Sequence, residues 1–183
     1  LTEREERPEL LLVVEKRRVE LDDLAVDGGF IATVLDRPAR PGNIGTIIRS
    51  ADALGGSAVI VTGHGADPYD PQSVRATTGS FFALPIVEAE NPTVLRAWAD
   101  ARGVQLIATD EGGDTDLATV PAPPVAYLFG NETSGLSPGL PGIAEATVAI
   151  PVRGTARPLN VAAAHPVAPA AGPAAPPGVR HPT

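Results

Sequence analysis

The sequence predicts an α/β domain built on a mostly parallel sheet with helices on both faces. Three observations lead there. Short apolar runs of strand length recur at 30–35, 57–61, 104–108 and 125–129. Segments of helix length, with their own start and stop residues, stand between them. The runs are apolar throughout and do not alternate with polar residues, as expected of strands covered on both sides.

Taken in order, Phe30-Ile31-Ala32-Thr33-Val34-Leu35 lies between Gly29 and Asp36 and reads as the first strand. Asn43 is a good N-cap residue for a helix running to Leu54, and Gly55-Gly56 stops it. Ser57 to Val61 is a second strand, and Pro71 to Thr78 a short helix with proline in its first turn. A strand follows over Phe82–Val87. Asn91-Pro92 opens a helix that continues through Ala101 and is closed by Gly103. Val104–Ala108, Val125–Phe129 and Ala146–Val152 complete the strands. Ligands of open parallel sheets sit beyond the carboxyl ends of the strands. Functional residues are therefore expected just after Leu35, Ala108, Phe129 and Val152.

The 183 residues suffice for one domain with a buried core. Residues 1–28 are polar and charged around Leu10–Val14 and read as an N-terminal extension or the remnant of an upstream substrate-binding module. Residues 29–164 form the main domain, and 165–183, rich in Ala, Pro and Gly, read as a disordered tail. No cysteine is present, which excludes disulfides, thiolate metal sites and cysteine nucleophiles. His64, His165 and His181 form no ligand constellation, so no metal is expected. No apolar run is long enough to span a membrane, and Leu1 to Glu6 carry no signal pattern, so a cytoplasmic location is expected. There is no methionine, so residue 1 is not expected to be the natural start. A net charge of −8 is wrong for a protein that simply clamps phosphates. Any nucleic acid must be met by a local basic patch, a partner subunit or a segment outside this chain.

Three segments carry candidate chemistry. In Pro41-Gly42-Asn43-Ile44-Gly45-Thr46-Ile47-Ile48-Arg49, the first residues open a helix, where free amides and the dipole favour an anion. A capped core helix with a surface arginine fits those residues equally well. In Gly130-Asn131-Glu132-Thr133-Ser134-Gly135-Leu136, a strand ends in a turn holding two glycines, an amide and a carboxylate. A tight strand-to-helix turn capped by Asn131 or Ser134 is the plainer account. Ile150 to Ala164 combines a strand end, a basic loop and an Ala-rich helix start, or simply a solvated loop. Trp98, the single tryptophan, sits on the helix after Asn91 and reads as core before it reads as a base-stacking platform.

Together, in this order and spacing, the three segments resemble the three motifs of the SpoU/TrmH family of RNA ribose methyltransferases. Asn43, Gly45 and Arg49 match its first motif, and Gly130, Glu132, Gly135 and Leu136 its second. Ile150, Pro151, Gly154, Leu159, Asn160 and Val161 match its third. Asp67 to Pro71 and Val74 to Ser80 also look like the family, and the resemblance runs from about residue 30 to 164.

The resemblance implies a SPOUT-type domain whose C-terminal part is tied into a trefoil knot, S-adenosylmethionine (AdoMet) as cofactor, and a homodimer with its active site near the interface. It implies methyl transfer to a ribose 2′-hydroxyl of rRNA or tRNA, with Arg49, Asn43, Glu132 and Asn160 as catalytic residues. Thr109, Gly130, Ile150 and Leu159 would border the cofactor, while Arg75, Arg153 and Arg157 would contact RNA phosphates. Arginine suits stabilisation of the developing alkoxide better than proton abstraction, because a guanidinium stays protonated at working pH. An alternative reading is a catalytically impaired relative. Pro158 stands where the family has Ser or Thr, and the helix expected after Asn160 gives way to the proline-rich tail. An unrelated nucleotide-binding α/β enzyme is a weaker third reading, since no G-x-G-x-x-G or P-loop follows any strand.

Overall fold

A computed structural model describes residues 13–16, 18–110, 113, 115–116 and 122–149. Seven parallel strands lie among them: β1 (Ile31–Asp36), β2 (Ala58–Thr62), β3 (Ile86–Ala89), β4 (Gln105–Asp110), β5 (Thr115–Asp116), β6 (Val125–Phe129) and β7 (Ala146–Ala149). They form one sheet in the order β3-β2-β1-β6-β4-β7-β5. Three α-helices accompany them: α1 (Pro41–Ala53), α2 (Pro71–Ala76) and α3 (Pro92–Arg102). From β1 the chain builds outward through β2 to β3. It then passes through α3 to β4 on the far side, and β6 fills the place between β4 and β1. The strand order reverses at that place, which is where ligands of doubly wound sheets bind.

The pattern within β1 explains the layers. Ile31 and Leu35 join α1 residues Ile44, Ile47, Ile48 and Ala51 in a core that includes Tyr127 and Phe129 of β6. Ala32 and Val34 point the other way, into a core with Leu95, Trp98 and Ala99 of α3. Side chains alternate across a strand, so a run buried at every position, as β1 is, needs cover on both faces. Leu21 and Leu24, ahead of the sheet, pack into the α3-side core, and Trp98 stands edge-on to Phe30 at 6.1 Å between ring centres. Trp98 is therefore a core residue.

Three elements differ from the sequence expectation, one of them β5, a two-residue strand that the sequence does not predict. Asn43 does not cap α1: the helix starts at Pro41 with Arg40 at the cap position. Proline lacks an amide that would need a partner there, and its fixed φ suits the first turn, so the start moves upstream. The strand expected over 82–87 begins only at Ile86. Gly79, at φ 109°, turns the chain into a 3-10 turn over Ser80–Phe82, which leaves Phe82 80% exposed. The cap at Asn91 is as expected, its side chain accepting the Val94 amide, and Gly103 ends α3 in the left-handed conformation. The expected last strand is described as far as Ala149; Ile150 to Val152, and the segment for which the resemblance implies a trefoil knot, lie outside the described residues.

Gly45 is where α1 and α2 touch. A Cβ there would stand 2.2 Å from the Ser73 carbonyl oxygen and 2.6 Å from the Ala76 Cβ. The Ser73 hydroxyl seals the contact, its one proton shared between the carbonyl oxygens of Pro41 and Asp67, each at 3.0 Å. At Gly42 nothing lies within 4 Å of an added Cβ. Gly45→Ala is therefore expected to cost ~1–3 kcal/mol in urea unfolding through overpacking. Gly42→Ala should stabilise by about 0.5–1 kcal/mol through helix propensity. Equal effects at the two positions would show that the α1–α2 contact does not govern Gly45.

Candidate active site at the joint ends of β1 and β6

Two loops leave the sheet side by side at the carboxyl ends of β1 and β6 and are stitched together by side chains. Glu132 is the central stitch. Its Oε1 accepts from Asn43 Nδ2 at 2.7 Å and its Oε2 from the Ala39 amide at 3.1 Å. Asn131 donates through Nδ2 to the Arg37 carbonyl at 2.7 Å, and Arg37 Nη2 donates to the Gly135 carbonyl at 3.2 Å. Underneath, buried Asp36 accepts through Oδ2 from both the amide and the hydroxyl of Ser137, each at 2.7 Å.

Local sequence accounts for both loops. Arg37 is left-handed (φ 49°), an uncommon state for arginine. Its amide donates to the Thr62 carbonyl at 2.9 Å, and Asn131 holds its carbonyl. After β6, the Asn131 side-chain oxygen accepts from the amides of Thr133 and Ser134, and a backbone bridge joins Asn131 to Gly135. This is an Asx-type turn and no helix follows directly, so the strand-to-helix turn considered from sequence does not form. Gly130 must be glycine, because a Cβ would lie 2.3 Å from the Gly135 carbonyl carbon.

Asn43, in the first turn of α1, is oriented by Glu132. A carboxylate pairs only with the NH2 end of an amide, so Oδ1 remains as the acceptor available to a ligand hydroxyl. Partial burial pushes the Glu132 carboxyl up. Hydrogen bonds from Asn43, its own amide and the Ala39 amide, with the charge of Arg40, outweigh that and hold it below the ordinary glutamate value. Both oxygens are engaged and the group is ionised, so Glu132 positions Asn43 and does not serve as a ready proton acceptor.

The structure brings together Asn43, Glu132 and Gly130 from the sequence-predicted set. Thr109, at the end of β4, donates its hydroxyl to the Leu128 carbonyl at 2.8 Å and so sits beside the same sheet edge. Arg49 is not brought to Glu132. It is exposed, with no hydrogen bond or ion pair among the described residues, and stands roughly 120° around α1 from Asn43 at 3.6 residues per turn. Arg75 is exposed in the last turn of α2. Asn160, Ile150, Leu159, Arg153 and Arg157 lie outside the described residues. Gly45 packs helices and does not face an anion. Sequence reasoning missed Asp36, Arg37, Arg40 and Ser137, and gave Asn131 only as a turn cap. The signal for the first three was an acidic strand end followed by two arginines spaced around a proline.

A groove of about 720 Å³ opens one strand over, at the ends of β2 and β3, lined by Lys16, His64, Tyr69 and Glu88 among others. Lys16 sits 3.9 Å over the Tyr69 ring and pairs with Glu88. Glu20, Asp67 and Glu90 also line it, which makes it a poor seat for phosphate. Among the described residues no helix is long and apolar enough to cross a membrane, and no group of three or more His, Asp or Glu is placed to hold a metal.

A carboxyl held low in the folded protein adds stability that is complete above its unfolded value and is lost as pH falls through the folded one. The stability difference between the wild type and Glu132→Gln should therefore be largest near neutral pH. It should shrink as the pH is taken below the ordinary glutamate value of about 4.3. Urea unfolding across pH measures it, and a difference that stays constant would show that the pairing does not act through the charge.

The SpoU rRNA methylase family profile matches residues 31–169. A Streptomyces viridochromogenes protein named 23S rRNA (uridine(2479)-2'-O)-methyltransferase is 46% identical over 161 residues, or 85% of this chain and 56% of that protein. The crystal structure of the SpoU methyltransferase AviRb from the same organism, in complex with the cofactor AdoMet, matches with a TM-score of 0.79 at 44% identity. It covers 83% of this chain and 60% of that one. An AdoMet-bound rRNA methyltransferase from Sinorhizobium meliloti matches with a TM-score of 0.80 at 42% identity, over 86% and 60% of the two chains. The chain thus spans 56–60% of the length of these relatives. A profile match across most of the sequence, together with this likeness of fold, shows that the chain belongs to the SpoU rRNA methylase family.

Proposed function

We propose that this chain is the catalytic domain of an AdoMet-dependent methyltransferase that modifies a ribose 2′-hydroxyl in ribosomal RNA. The carrying observation is the Glu132 clamp: a carboxylate from the loop after β6 fixes the amide of Asn43 on α1 at the switch point of the sheet. That arrangement presents a neutral acceptor, suited to orienting a hydroxyl. Ribosomal RNA is favoured over transfer RNA because the relatives from Streptomyces viridochromogenes and Sinorhizobium meliloti are named as rRNA enzymes. Such a substrate implies action in the cytoplasm.

The described residues fit a cofactor bound mainly by main chain. Gly130 is held at the end of β6 by the Gly135–Leu136 backbone packed against it, and the Thr109 hydroxyl, already satisfied by Leu128, leaves a neutral rim. Thr109 and Gly130, with Ile150 and Leu159, would hold AdoMet, which supplies an electrophilic methyl group when bound. The chain's own part is alignment and charge. Asn43 accepts from the ribose 2′-hydroxyl and sets its angle. Arg49, always protonated, stabilises negative charge developing on the 2′-oxygen. Asn160 would orient the sugar. Arg75, Arg153 and Arg157 would contact phosphates, and Arg40, exposed beside Glu132, adds to the local positive field. Arg49 stands on the flank of α1 away from Asn43, which favours a homodimer in which a second copy completes the site.

Calorimetric titration with AdoMet is expected to show one site per chain; a folded protein that binds none would overturn the reading and favour the impaired relative. With 23S rRNA as substrate, digestion and mass spectrometry should find one new 2′-O-methyl nucleotide. Arg49→Ala should lower kcat by roughly 10²–10³-fold with AdoMet affinity unchanged. Full activity in that variant would remove Arg49 from the chemistry.

A further inference from the structure

We propose that Asp36 is a positioning residue of this site: its buried carboxylate anchors the loop 130–137 and thereby sets Glu132, Asn43 and the Gly130 backbone in register. The proposal rests on the methyltransferase reading given above. Asp36 ends β1 and is 3% exposed. A carboxylate so placed is costly unless every lone pair is met. Two distant segments and its own neighbour in the chain meet it. Ser137 supplies its amide and its hydroxyl to Oδ2, each at 2.7 Å. Arg37 supplies Nε at 3.3 Å and Nη2 at 3.2 Å to the same oxygen. Thr62, ending β2, donates its hydroxyl to Oδ1 at 3.3 Å.

The loop that Asp36 holds carries the clamp. It begins at Gly130, includes Glu132 and closes on itself through the Asn131–Gly135 bridge, so it is built to move as one piece. Its described ties to the β1 end are Asp36 with Ser137, Arg37 with Gly135 and Asn131, and Glu132 with Ala39 and Asn43. Arg37 is itself oriented by Asp36, so one carboxylate governs the Ser137 tie directly and the Gly135 tie through Arg37. Asp36→Asn leaves one neutral carbonyl oxygen in place of the charged acceptor shared by the Ser137 amide, the Ser137 hydroxyl and the Arg37 guanidinium, and it puts an NH2 group where the second oxygen stood, so these bonds weaken. A shift of the loop by about 1 Å carries Glu132, and with it Asn43, out of alignment, which costs up to about 10²-fold in rate.

The test compares wild type, Asp36→Asn and Ser137→Ala in the full chain, with Glu145→Gln as control. Glu145 forms a similar latch far from this loop, accepting the Leu106 amide at 2.6 Å and pairing with Arg96. Amide exchange read by mass spectrometry should rise about tenfold or more over 131–137 in Asp36→Asn, with β1, β2 and β6 unchanged. The AdoMet Kd should rise and kcat fall, each about tenfold or more, while KM for RNA stays within about twofold. Ser137→Ala keeps the amide bond and should show the same pattern at about threefold, which covers the case of an Asp36 variant that does not fold. Glu145→Gln should move neither the loop nor kcat. Unchanged loop exchange in Asp36→Asn, or a loosened loop with wild-type Kd and kcat, overturns the proposal. Wild-type protein that neither binds AdoMet nor methylates RNA overturns the methyltransferase reading instead. The positioning role then falls with it, while the exchange result still decides whether Asp36 anchors the loop.

Discussion

The parallel pairing of β1 with β6 is the constraint on which the rest depends. Their register runs from Ile31 beside Val125 to Leu35 beside Phe129, and both strands are buried on both faces. A slip by one residue would exchange the side chains facing α1 with those facing α3, and neither core would close. The register therefore cannot drift, and both strands end level with each other. Asp36 and Gly130, remote in sequence, become neighbours, and every polar contact between the two loops follows from that.

Electrostatics are local here in a way the overall charge conceals. The chain carries a net charge of −8, yet the loop after β1 bears Arg37 and Arg40, with Arg49 and Arg75 exposed on the helices beyond. The two carboxylates at this edge are both engaged. Asp36 is paired with Arg37, and Glu132 is held by neutral donors beside Arg40. Acidic residues also line the β2–β3 groove one strand over, and along α3 Asp100 and Glu145 pair with Arg96. An anionic polymer meets the field of the edge it approaches, screened from the far side within about 10 Å at ordinary salt.

The first motif shows how one run of residues divides its work. Pro41 starts the helix, Gly45 lets α2 approach, Ile44, Ile47 and Ile48 fill the core, and Asn43 turns to Glu132. Read alone, the run fits a capped core helix as well as an anion site, and part of that plainer account is correct: its apolar residues and Gly45 serve packing. Asn43 is the exception, and its role was visible only through the resemblance, because its partner comes from a distant loop. Asp36 gave less warning still, since an acidic residue ending a strand is as common in solvent-facing turns.

The sequence by itself determined the class of fold and the order of its elements. Those rest on short-range physics: strand-length apolar runs that need cover on both faces, proline and asparagine that start helices, glycines that end them. It also placed Asn43, Gly130 and Glu132 just beyond strand ends, where parallel sheets bind ligands. Tertiary structure alone decided strand order, and therefore which loops meet. It turned Asn43 from a cap into an oriented acceptor, set Glu132 to hold it, made Gly45 a packing residue and buried Asp36 under the loop. Each of these depends on hydrogen bonds or close contacts between segments far apart in the chain. Local propensity cannot encode such a distance, because it arises only when the sheet has closed in its one register.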